Sequence, residues 1–132
     1  MNYTLEKTER YALVRLNESN FADEHPATLE KLAASFFREG YSSIIVEMAS
    51  SVSIDAAGVM ALRKINRNCL AEDGLLVVAT KNEPFIALLD AAKLTDLTIF
   101  PTVEEAIDAV LMNELENDFR NEDDPDYAPP GD

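Results

Sequence analysis

Two short runs, IIVEM at Ile44–Met48 and LLVVA at Leu75–Ala79, are apolar at nearly every position. Strands that read this way are covered on both faces, as in a parallel sheet between helices, whereas a half-exposed strand alternates. Between the runs, Val59, Leu62, Ile65 and Cys69 recur at helical spacing, with Arg63, Lys64, Arg67 and Asn68 on the opposite side. Strand, amphipathic helix and strand in that order imply a right-handed parallel crossover with the two runs as adjacent, central strands. Any fold for this chain has to be built around that unit.

The flanking segments extend it. Residues 3–7 and 11–16 are short extended runs separated by Thr8, Glu9 and Arg10, the pattern of an antiparallel hairpin. After a polar stretch from Asn17 to His25, Pro26 suits a first helical turn, Leu29, Leu32, Phe36 and Phe37 share one face, and Gly40 ends the helix. A third helix carries Phe85, Leu88, Leu89 and Ala92, and a short strand takes Leu97–Phe100. A last helix follows Pro101 with Val103, Ala106, Ile107, Val110 and Leu111 inward, and Thr102 with Glu105 forms a capping box at its start. The expected architecture is α/β: a mixed sheet of four or five strands, hairpin first and parallel strands after it, with helices near 26–39, 56–72, 83–92 and 102–116. No internal repeat is present, and 132 residues with 47% hydrophobic content suit one domain.

Charge narrows the choice of partner. Eleven Lys and Arg against 25 Asp and Glu leave a net charge of −14, a field that repels phosphate backbones and anionic lipid heads, so neither nucleic acid nor membrane insertion is expected. Residues 113–132 hold eight of the acids against Arg120 alone, and Pro125, Pro129 and Pro130 fall there too. The domain is therefore expected over residues 1–118, with 119–132 a disordered acidic tail. One cysteine permits neither an internal disulfide nor a cysteine-based metal cluster, and the polar N-terminus has no signal-peptide core, so the expected location is cytoplasmic.

Catalysis is not expected, because nucleophile, base and metal ligands do not converge. Cys69 lies on the inner stripe of its helix as a small buried hydrophobe, and His25, beside Asp23 and Glu24, is read as a solvated loop residue. The acids Glu122, Asp123, Asp124 and Asp126 lack the glycine and terminal glutamate of a calcium loop, and glycines 40, 58, 74 and 131 are too dispersed to cradle a phosphate. No metal or cofactor is assigned.

Function concentrates where the first apolar strand passes through Ala49–Ile54 into the helix at SIDAAGVMAL. Such a corner lies at the carboxyl end of a parallel strand, the usual binding side of an open α/β sheet. Asp55 is placed as N-cap, a role compatible with partner binding. Gly58 suits either close packing against the sheet or an open surface near a partner. Val52, Ile54, Ala56, Ala57, Val59 and Met60 are small or apolar and suit a docking patch better than chemistry, with Val52 and Ile54 expected to pack inward.

VEMASSVSIDAAGVMALRKI, then GLLVVA, LLDAAKLTDLTIF and PTVEEAIDAV, resembles a STAS domain, the fold shared by anti-sigma factor antagonists and the cytoplasmic part of sulphate transporters. The resemblance covers about residues 3–112. In the antagonists the corner reads Asp-Ser-Ser-Gly-Leu, and the serine after the aspartate is phosphorylated by an anti-sigma kinase that the dephosphorylated form binds. The matching residues here are Asp55, Ala56, Ala57, Gly58 and Val59, so the phosphoacceptor position is Ala56 and carries no hydroxyl. The nearest hydroxyl is Ser53. LNESNFADEH also departs from the family, with no Gly followed by Leu-Asp and one residue inserted, and Asn20 matches that aspartate. The resemblance implies partner binding through Asn20, Ser53 and Asp55–Val59 to an anti-sigma factor or other GHKL-type kinase, with a PP2C-type phosphatase as a second partner class. It leaves two other readings: a non-switching scaffold or adaptor in a transport or signalling assembly, and a small-ligand sensor using the strand-end crevice.

Overall fold

The computed structural model describes residues 1–94 and 96–122. The chain runs β1 (Tyr3–Lys7), β2 (Ala12–Leu16), β3 (Asn20–Phe21), α1 (His25–Arg38), β4 (Ile44–Glu47), β5 (Ser53–Ile54), α2 (Ala56–Ala71), β6 (Leu76–Ala79), α3 (Glu83–Ala91), β7 (Thr98–Phe100) and α4 (Val103–Glu122). The main sheet has the order β1-β2-β4-β6-β7, with β1 antiparallel to β2 and every other pair parallel. The two apolar runs are neighbours in register, Ile44 opposite Leu76 and Val46 opposite Val78, as the crossover requires.

Alternate residues of the central strands enter two cores. Ala12, Val14, Ile44, Val46, Leu76 and Val78 face α1, α2 and α3, where Leu29, Phe36, Leu62, Ile65, Phe85 and Leu89 cover them. Leu13, Ile45 and Val77 face the other way, under Ala106 and Val110 of α4. Burial on both faces is why these strands lack polar alternation.

Helix ends follow local rules. Gly40, at φ 100°, closes α1, with Tyr41 N–H donating to Phe36 O at 3.0 Å and Gly40 N–H to Phe37 O at 3.0 Å. Thr102 and Glu105 make the expected capping box, Glu105 N–H donating to Thr102 Oγ1 at 3.1 Å. Asp73 (φ 62°) and Lys93 (φ 64°) occupy the same left-handed position after α2 and α3 without being glycine. Lys93→Gly is therefore expected to stabilise the fold by about 0.5 kcal/mol, since the strained backbone costs a side-chain-bearing residue about 1 kcal/mol and glycine's added freedom when unfolded takes part of that back. A urea titration whose midpoint failed to rise would show that the lysine side chain compensates for its backbone.

Three expectations need correction. α4 continues to Glu122 rather than ending near 116, because Asn113 and Asn117 donate through Nδ2 to the Asp73 carbonyl at 2.9 and 2.7 Å, and Arg10 pairs with Glu114 at 2.7 Å. Of the expected tail 119–132, the first four residues are thus helical and residues 123–132 lie outside the described ones. Leu111 is 41% exposed and Leu88 42%, because one turn past Val110 the inward positions of α4 pass to Asn113 and Asn117, and α3 buries only Phe85 and Leu89.

Candidate functional site

A small second sheet builds the corner. Asn20 of β3 pairs in parallel with Ser53 of β5, and Phe21 with Ile54. The connection from β4 is held on both sides: buried Ser51 donates through Oγ to the Glu18 carbonyl at 2.9 Å, its own carbonyl accepts from Asn82 Nδ2 at 3.2 Å, and Val52 N–H donates to Ser19 O at 2.7 Å. Across the pair, Ser53 Oγ donates to Asn20 Oδ1 at 2.5 Å. The two outlying residues assigned to the site are therefore hydrogen-bonded to each other.

Asp55 joins this sheet to α2. Its Oδ1 accepts from Gly58 N–H at 2.8 Å, the N-cap bond expected from sequence, and its Oδ2 accepts from Asp23 N–H at 3.2 Å. The cap is worth about 1 kcal/mol. The second bond ties the helix start to the β3–α1 turn, where Asp23 adopts φ 58°. Gly58 is buried, and a Cβ there would lie 2.6 Å from Ile54 Cγ1 and 2.8 Å from Phe21 O, so of its two readings the close-packing one holds.

What remains outward is apolar and small. Ala56 and Ala57 are exposed, Met60 is 60% exposed and Val52 54%, while Ile54 and Val59 are half-buried against the core. Val52 was expected inside. It points out because the hydrogen bonds of Ser51 sink that residue instead, and the next one in an extended segment faces the other way. Sequence reading missed Asp23, Ser51 and Asn82: Asp23 contributes its N–H, while Ser51 and Asn82 donate from their side chains to carbonyls more than thirty residues away, partners that residue type does not announce.

The remaining chemistry-bearing residues do not converge. His25 is not a solvated loop residue. It is the first residue of α1, is 19% exposed, and its Nδ1 lies 3.0 Å from Asn20 O with Glu18 Oε2 3.7 Å from Nε2, so the ring lies against β3 and the segment before it. At the carboxyl ends of the strands a cleft of about 580 Å³ is lined by Arg15, Glu47, Lys81, Asn82, Thr102 and Glu104, and its arginine is already engaged by Glu47 at 3.1 Å. Among the described residues no group of three His, Cys, Asp or Glu could hold a metal ion, and no helix is long and apolar enough to cross a membrane.

Burial pushes the Cys69 thiol up to about 12, with a hydrogen bond at Ile44 opposing it weakly. The folded chain therefore keeps a proton that the unfolded chain releases above about 9. This residue should lower stability progressively as pH rises between those values, and the native thiol should resist iodoacetamide at neutral pH while the urea-unfolded chain reacts. Rapid alkylation of the native protein would contradict its buried, protonated state.

Comparison with known proteins places this geometry. The family model for the STAS domain matches residues 2–106. A solved anti-sigma factor antagonist from Thermotoga maritima aligns with TM-score 0.71 at 21% identity, covering 82% of this chain and 93% of its own. The antagonist SpoIIAA in its unphosphorylated form gives 0.71 at 21%, covering 83% and 96%. The phosphorylated form of the Bacillus cell fate determinant SpoIIAA gives 0.64 at 20%, covering 83% and 99%. No curated protein sequence matches the chain.

Proposed function

The chain belongs to the STAS domain family, and we propose that it is a regulatory protein-binding module that docks an anti-sigma factor or other GHKL-type kinase through the corner at Asn20, Ser53 and Asp55–Val59. The observation that carries this reading is the exposed apolar surface of Val52, Ala56, Ala57 and Met60 on a support tied together by the Ser53–Asn20 and Gly58–Asp55 hydrogen bonds. A preorganised patch binds without having to be ordered first.

With Ala56 at the phosphoacceptor position, the module stays in its docking-competent state. A phosphate would add about −1.5 to −2 charges where a partner makes close contact, and this chain offers no oxygen there to receive it. A PP2C-type phosphatase consequently has nothing to remove at residue 56, and binding is set by abundance and by the state of the kinase. The reading is tested by incubating the protein with a candidate GHKL-type kinase and ATP, then measuring complex formation and intact mass. A complex with no added phosphate is expected. Phosphate on Ser53 would overturn the non-switching reading, and the absence of any complex with such kinases would favour a scaffold in another assembly.

A further inference from the structure

α4 carries two apolar faces. Val103, Ala106, Ile107 and Val110 pack on the sheet. One turn further the inward positions become Asn113, Glu114 and Asn117, bonded to Asp73 and Arg10, and the large apolar residues move outward. Leu111, Leu115 and Phe119, four residues apart, form one ridge that is 41, 48 and 56% exposed, with Met112 beside it at 56%. The ridge spans about 12 Å of helix. Every charged side chain of α4 up to Phe119 is acidic.

The opposite face of the sheet has the complementary form. A groove of about 500 Å³ runs between α1 and α2, with Ala33, Phe37 and Ile65 in its floor and Lys31, Arg38 and Lys64 on its rim. Its one carboxylate, Glu30, is paired with Lys64 at 3.1 Å. Of the eleven cations in a chain of net charge −14, five lie on α1 and α2. The charge is segregated by face: an acidic apolar ridge on one side of the sheet, and a basic apolar groove on the other.

We propose that the α4 ridge of one molecule docks in the α1–α2 groove of a second copy of this chain. Ridge on ridge would set acid against acid and groove on groove base against base, so a two-fold symmetric pairing is disfavoured by both surfaces. Because ridge and groove occupy opposite faces, the contact is heterologous, each added copy leaves one of each free, and the assembly grows as a stack. Neither surface includes residues 52–59, while Met60, one turn before Lys64 on α2, borders the groove beside Glu30.

Sedimentation equilibrium of the full chain, up to about 1 mM, tests this directly. The weight-average mass is expected to rise continuously with concentration and to fall back in about 1 M salt. Two variants, Leu115→Gln/Phe119→Gln and Lys31→Glu/Lys64→Glu, each checked for folding by circular dichroism, block one surface apiece. Each alone is expected to remain monomeric, while their equimolar mixture forms a one-to-one dimer and nothing larger. A wild type that stays monomeric throughout, a wild type that stops at a dimer, or a mixture that remains monomeric would each overturn the proposal.

Discussion

Gly74→Ala is expected to remove at least about 3 kcal/mol of stability. A Cβ at this position would lie 1.8 Å from the Ser42 carbonyl oxygen and 2.3 Å from its carbon, so the obstacle is backbone rather than a side chain that can swing away. Neither strand of chain can retreat. Gly74 N–H is held by Cys69 O at 2.8 Å, Leu75 N–H by Ser43 Oγ at 3.1 Å, and Leu75 O accepts from Ile44 N–H at 2.9 Å, which starts the pairing of β4 with β6. Relief of the clash would have to come from breaking the α2 cap or the first rung of the central sheet. Gly40→Ala is the control, since nothing lies within 4 Å of its Cβ and only its φ of 100° opposes the change, at about 1 kcal/mol. Urea unfolding of both variants gives the comparison. A loss at Gly74 no larger than at Gly40 would mean that the β4–β6 start is far more yielding than its hydrogen bonds imply.

Ala56→Asp is expected to weaken kinase binding by on the order of 2 kcal/mol, about 30-fold, while leaving the fold intact. The residue is exposed at the first turn of α2, beside Asp55 and on the same surface as Val52 and Met60. In the free protein a carboxylate there is solvated and favoured by the helix dipole. In a complex it would be pressed against an apolar partner surface without a counter-ion, and the desolvation cost falls on binding alone. Asn68→Asp, the same added charge three turns along α2, should change affinity by less than about threefold. Equal affinities for wild type and Ala56→Asp would move the interface off the corner.

The sequence disclosed the parts of this molecule that depend on periodic burial. The continuous apolar runs at Ile44–Met48 and Leu75–Ala79 and the stripe through Leu62, Ile65 and Cys69 announce the crossover, and Asp55 and Thr102 announce helix starts, because each signal is local and repeats or sits at a known offset. The β3–β5 pair was illegible, since two residues per strand provide no alternation to read. Its existence depends on Ser51, Asp55 and Glu18 bonds that join positions more than thirty apart. The length of α4 was missed for a related reason: its acidic composition argued for early fraying, and the opposing contribution comes from the exposed carbonyl of Asp73 at the end of another helix. At the corner, residue type announced only Asp55 as a helix cap, and Asn20 and Ser53 were joined to it by the family resemblance; the bond from Ser53 to Asn20 and the outward turn of Val52 show how the surface is presented.

That residues 52–60 are the docking surface is the central claim, and it is tested most directly by titrating isotopically labelled protein with an ATP-bound GHKL-type anti-sigma kinase while following backbone amide resonances. The account expects the amides from Val52 to Met60, with Asn20 and Asp23 across the small sheet, to shift or broaden first and most. Perturbations confined to α4 or to the strand-end cleft, with residues 52–60 unmoved at saturation, would contradict it.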